Sequence, residues 1–168
     1  MVKKMEKSSE QIAFAQLAFI RNLTLQIAVQ VPVDLVDRIP DGQRNHIRWQ
    51  LAHMWDVLER YVFHIALQTY PEHDEELKLY GYGSSPENWV DAEIPDVAEW
   101  IKRLAAQPAR IEMALTGLLD ITLTEPFTFD NGYTVTTARE LLNYGLYHEG
   151  LHLSMINSYL KMLQHERR

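Results

Sequence analysis

Tyr147-His148-Glu149-Gly150-Leu151-His152 lies inside a run that reads as one long helix from about Thr137 to Gln164. His148 and His152 stand at i and i+4, so both imidazoles leave the same helix face one turn apart. Two neutral imidazoles so placed can bind one metal ion, since a His nitrogen is a good ligand for Zn, Ni, Cu or Fe. The chain carries seven His, and such a pair also arises by chance on helices. A third ligand from another element is what would give the pair meaning. The inner face of this helix runs Leu141, Tyr144, His148, His152, Met155 and Tyr159. Glu149, one residue past the first His, is turned about 100° from that face and reads as a surface carboxylate rather than a base.

Thr137-Ala-Arg-Glu140 is a capping box that starts the helix. Just before it, Glu125 to Val135 changes to a period of 2 around Asn131-Gly132, the strongest short-range hairpin signal. Further upstream, Pro95-Asp96 opens another helix with Val97, Trp100, Ile101, Leu104, Ile111, Leu115, Leu118 and Leu119 as its apolar face. Pro108 lies inside it and is expected to kink or interrupt it.

The remaining helices come from the first part of the chain. Ser8-Ser-Glu-Gln11 is a capping box, and beyond it Ile12, Ala15, Leu17, Phe19, Leu23, Ile27 and Val31 recur near a 3.6 period up to Pro32. A second helix is expected from about Gln43 to Gln68, with the stripe Ile47, Leu51, Met54, Trp55, Leu58, Val62 and Ile65. Beside it runs a second stripe, His46, Trp49, His53, Val57, Arg60 and His64. His53, in mid-helix between Trp49 and Val57, is the one of these His that points into the bundle. Taken alone, that is equally the place of a core-edge His bonded to a carboxylate or a backbone carbonyl. From Thr69 to Ile94 the pattern dissolves into a long connection, a length that is often functional. Tyr80, Tyr82 and Trp89 either cover a ligand pocket there or anchor the crossover.

Composition bounds the rest. The 168 residues fit one domain spanning 1–168, with a 46% hydrophobic content normal for a packed core. A net charge of −7 argues against nonspecific binding to nucleic acid or anionic lipid. No apolar run approaches the roughly 18 residues of a membrane span. The start, Met1 to Lys7, has the charge of a signal peptide without its apolar core, so a cytoplasmic protein is expected. Cysteine is absent. A metal site must therefore use His, Asp or Glu, and any thiol chemistry must bring its sulfur in on a substrate.

Four long helices with a long crossover between the second and third, and a small hairpin before the fourth, make an all-α four-helix bundle. Trp49-Gln-Leu-Ala-His53 in mid-helix, then a hairpin leading to Thr137-Ala-Arg-Glu-Leu-Leu-Asn143, then His148 and His152, resemble the DinB-like (DNA-damage-inducible) metalloprotein family. The match in order and spacing covers most of the chain. The resemblance implies a His triad, here His53, His148 and His152, binding one divalent ion, usually zinc or nickel, in a bundle that often dimerises. Members often carry His where Tyr144 stands and an Arg-Gly pair where this chain has Leu153-Ser154; neither position is one of the three ligands.

Three neutral ligands leave a tetrahedral ion one open position, the pattern of catalytic sites, where bound water can approach a pKa of about 7 or a thiol can be held as thiolate. Relatives of known activity act on small thiols. The expected function is therefore a metal-dependent enzyme of the thiol-transferase or hydrolase type acting on a small molecule. No catalytic acid or base can be named. Two readings compete with it: a non-enzymatic, stress-associated metal binder, and a helical dimer whose His are incidental. Trp55, Phe63 and Trp100 are expected as surface aromatics that bury a face against a twin subunit.

Overall fold

The computed structural model describes residues 7–69 and 74–166. Tyr70, Pro71 and His73, read as part of the connection, lie outside the described residues. The molecule is mostly helical, with four main helices packed as a bundle and an antiparallel hairpin before the last of them. In order these are α1 (Ser9–Ala28), α2 (Ile47–Glu59) continued by a π-helical stretch (Arg60–Ala66), a short α3 (Asp74–Tyr80), α4 (Val97–Leu115), strands β1 (Thr122–Thr128) and β2 (Thr134–Thr137), and α5 (Ala138–Glu166). Among the described residues no helix is long and apolar enough to cross a membrane.

Local chemistry sets most of the boundaries. Ser8 and Gln11 close the capping box of α1, and Thr137 and Glu140 close that of α5. The hairpin turns at Gly132, whose φ of +84° favours glycine, and Asn131 Oδ1 accepts from the Tyr133 N–H. The second helix starts later than its sequence pattern suggests. His46 is the N-cap of α2, its Nδ1 accepting the Trp49 N–H at 3.0 Å, so residues 43–46 stay outside. The ladder then loosens at Arg60: the Leu67 N–H reaches back five residues to the Val62 carbonyl. A π-helical stretch changes the phase of the residues that follow its start, so His64 need not keep the stripe that an uninterrupted α-helix would give it.

Pro108 does not interrupt α4, which runs through it. A proline there leaves the Leu104 carbonyl without its backbone donor, and Arg21 Nη1 supplies one instead at 2.7 Å. This explains a second departure. The buried face of α1 is Ala13, Phe14, Leu17, Arg21, Thr24 and Ala28, which shares only Leu17 with the expected stripe, although Val31 beyond the helix is buried too. Two polar residues belong to the core face, which displaced the apparent hydrophobic stripe; Ile12, Phe19 and Leu23 of that stripe are exposed, Phe19 by 63%.

Two apolar clusters fill the bundle. One, at the hairpin end, gathers Phe14, Leu17, Leu58, Ile111 and Leu142; the other gathers Leu35, Leu51, Trp100, Ile156 and Leu163. Between them, along every main helix, lies a buried polar layer of Arg21 and Thr24 on α1, His53 on α2, Gln107 on α4 and Glu149 on α5. Trp100 and Phe63 belong to these cores and Trp55 packs half-buried against one of them. They are not surface aromatics, because the crossover and α4 cover them.

The crossover is also more ordered than expected. It carries α3 and a 3₁₀ turn, Pro86–Trp89, helped by Glu75 and Glu76 at the positive end of α3. Tyr80 and Trp89 are buried, and the Trp89 Nε1–H and the Ser84 hydroxyl both donate to the Leu79 carbonyl. They anchor the crossover. Tyr82 is 85% exposed.

Candidate metal centre

His53 comes from the middle of α2, and His148 and His152 come from adjacent turns of α5, which packs against α2. The three meet in the polar layer. His148 Nε2 lies 3.2 Å from His53 Nε2 and 3.0 Å from His152 Nε2, and one ligand atom from each of the three falls within 4.8 Å of the others. Trp49, one turn before His53, stacks on its ring with centroids 4.7 Å apart. His53 is buried, whereas His148 and His152 are partly exposed.

The outer nitrogens explain why the inner ones converge. His53 Nδ1 is 2.6 Å from the Tyr80 carbonyl. A carbonyl only accepts, so Nδ1 carries the proton and Nε2 turns a lone pair inward. His152 Nδ1 bonds in the same way to Gln50 Oε1. Charge state agrees with tautomer. Burial pushes the His53 pKa down to about 4. Burial and then the neighbouring imidazoles push His148 to about 3 and His152 to about 2. All three are neutral at pH 7, the form in which imidazole is a ligand.

The donor set fits one ion. Nitrogens held about 2.0–2.1 Å from a common metal, at angles between a right angle and the tetrahedral one, stand roughly 2.8–3.4 Å apart; the separations from His148 Nε2 are 3.0 and 3.2 Å. The group could therefore hold a metal ion.

Glu149 is not the surface carboxylate its helical angle suggested. It is 1% exposed, because its side of α5 faces α1 rather than solvent. Arg21 Nε and Nη2 donate to its two oxygens at 2.8 and 2.9 Å, and the Thr24 hydroxyl donates at 2.7 Å. Two contributors escaped sequence reasoning altogether. The Tyr80 carbonyl is main chain and has no residue signature. Gln50 left a faint one: a glutamine three residues before His53, within a helix that is apolar on both sides. Tyr144, one turn before His148, stacks on Phe129 of the hairpin with centroids 3.9 Å apart, so it joins the hairpin's aromatic group.

Residues 16–156, most of the chain, match the family model described as the DinB superfamily. No curated protein sequence matches the chain significantly.

Proposed function

The chain belongs to the DinB superfamily, and from that premise we propose that it is a metal-dependent enzyme of the thiol-transferase or hydrolase type, binding one divalent ion, zinc or nickel, through His53, His148 and His152. The observation that carries this reading is the inward convergence of three neutral Nε2 atoms, two of them with their outer nitrogens already engaged as donors. An ion held there supplies Lewis acidity, lowering the pKa of a water or thiol that reaches it.

The chain's own groups do the rest. The three imidazoles present uncharged nitrogens, Trp49 covers the His53 ring, and the partly exposed side at His148 and His152 admits a small molecule. With no Cys in the sequence, a thiol enters as substrate. Glu149 takes no part as a base, since Arg21 and Thr24 occupy its oxygens. That occupation favours the second reading, a non-enzymatic metal binder.

Mass spectrometry of the protein purified without added metal, followed by a panel of low-molecular-weight thiols with electrophiles, separates the two. About one equivalent of zinc or nickel with metal-dependent conjugation or hydrolysis is expected. Metal without turnover leaves the binder, and metal-free protein that takes up neither ion overturns both. The same reading includes a homodimer, supported by the exposed apolar stripe Ile12, Phe19 and Leu23 on α1. Light scattering at micromolar concentration decides it, a monomer ruling it out.

A further inference from the structure

Gln50 is wholly buried, one turn before His53 on α2. Its Oε1 faces His152 Nδ1 across the bundle. Its Nε2 has no partner within ordinary hydrogen-bond geometry, yet the amide lies beside the Tyr159 hydroxyl: burial raises the pKa of that hydroxyl, and the nearby Gln50 side chain opposes the rise. Tyr159 in turn donates to Gln43 Oε1 at 3.1 Å. The directions agree. A hydroxyl that donates to Gln43 offers its oxygen only as an acceptor, which suits the NH₂ end of Gln50. The carbonyl end of Gln50 then remains for His152, and a carbonyl oxygen requires the proton on His152 Nδ1.

We propose that Gln50 is a positioning residue of the three-His site: held between Tyr159 and His152, it keeps the His152 proton on Nδ1 and so presents the Nε2 lone pair to the ion. The inference rests on the metal-binding reading above and deepens it. The reason such a device is needed lies in the triad itself. His148 Nε2 is 3.0 Å from His152 Nε2, a good distance for an imidazole–imidazole hydrogen bond. If the Gln50 amide were reversed, His152 Nδ1 would accept, its Nε2 would carry the proton, and that proton would stand where the ion binds. Outer partners of this kind fix both ring orientation and tautomer at metal sites. His53 obtains the same service from the Tyr80 carbonyl, which no substitution of residue type can reverse. Gln50 is the part of the arrangement that a side chain decides.

The test measures zinc affinity by chelator competition in the wild type, Gln50→Leu and Gln50→Glu. Removing the acceptor in Gln50→Leu is expected to weaken zinc about 10–100-fold, while Gln50→Glu, which keeps an oxygen facing Nδ1, stays within about threefold of the wild type. Equal affinity in Gln50→Leu overturns the proposal, because a merely packed glutamine would give that result. Should Gln50→Leu fail to fold, Gln50→Glu and the ring ¹⁵N shifts of metal-free wild type decide. His152 protonated on Nδ1 supports the assignment, and His152 protonated on Nε2 sinks it. Failure of the metal reading looks different: the wild type then takes up no zinc, whichever tautomer the nitrogen spectrum reports.

Discussion

His148 and Glu149 are neighbours on α5, yet they serve two buried polar centres that differ in kind. On the α1 and α4 side, Glu149, Arg21, Thr24 and the Leu104 carbonyl satisfy one another with donors and acceptors paired. On the α2 side, the outer nitrogens of His53 and His152 are engaged and their inner nitrogens both face His148 Nε2. A centre complete within the chain serves the fold. Three imidazole nitrogens turned on one point, two of them as acceptors, suit a cation. About 100° of helix rotation separates the two roles.

The contrast is broken most directly at His152. His152→Ala is expected to abolish stoichiometric metal binding and any activity with it, while the bundle still folds, because apolar burial between the helices holds it. Circular dichroism melts with and without chelator read this. A melt that collapses with the metal makes the ion structural and the proposed enzyme wrong.

Glu149 should behave in the opposite way. Glu149→Ala strands the Arg21 guanidinium in the core and is expected to cost about 3–5 kcal/mol in urea unfolding. Arg21→Met with Glu149→Leu should recover most of that loss. Adding Pro108→Ala should recover more, by returning an N–H to the Leu104 carbonyl that Arg21 otherwise satisfies. Loss of metal without loss of stability in Glu149→Ala would merge the two centres into one.

His46 sharpens the comparison, being a buried imidazole that belongs to neither centre. Its Nδ1 accepts the Trp49 N–H, and burial, opposed by Asp37, lowers its pKa from 6.5 to about 4. The folded value lies below the unfolded one, so between them the unfolded chain takes up a proton that the folded chain does not. The contribution is therefore complete above about pH 6.5 and is lost as the pH falls towards 4, at about 1.4 kcal/mol per pH unit. His46→Asn keeps a good cap without a titrating ring. The stability difference between wild type and variant should shrink or reverse over that range by this slope, and a flat difference would show that His46 does not cap as a neutral imidazole.

How far all this could be read from sequence follows from the kind of interaction involved. Periodicity and capping boxes revealed the helices and hairpin because those signals are local: Ser8 with Gln11, Thr137 with Glu140, Asn131 with Gly132. The His pair was legible for the same reason, being one helix turn. His53 joined it only through a family resemblance, since no local rule places α2 against α5. What stayed hidden was non-local or main-chain. The partner of Glu149 lies 128 residues away on α1, the holder of His53 is a backbone carbonyl, and the face of α1 was misread because its core includes an arginine. The π-helical stretch after Glu59 likewise has no turn residue to announce it.

The smallest expected effects come from two glycines on α5, one on each side of His148. Gly145 is where α2 and α5 approach closely: a Cβ there would stand 2.5 Å from Leu58 Cδ2 and 3.7 Å from Tyr61 Cδ2. Leu58 is itself buried, so its methyl cannot simply swing away. Gly150 faces open space, with nothing within 4 Å of an added Cβ. Both substitutions to Ala gain helix propensity, worth roughly 0.8–1 kcal/mol. At Gly150 that gain stands alone, and Gly150→Ala is expected to stabilise by about that amount. At Gly145 it is opposed by about 1–3 kcal/mol of overpacking, giving a net loss. The two also differ at the metal. Forcing α2 from α5 separates His53 from His148 and His152, so Gly145→Ala should weaken zinc whereas Gly150→Ala leaves it unchanged, and Leu58→Ala in the Gly145→Ala background should restore it. Equal zinc affinity in both glycine variants would mean that the triad does not depend on the close approach of these helices.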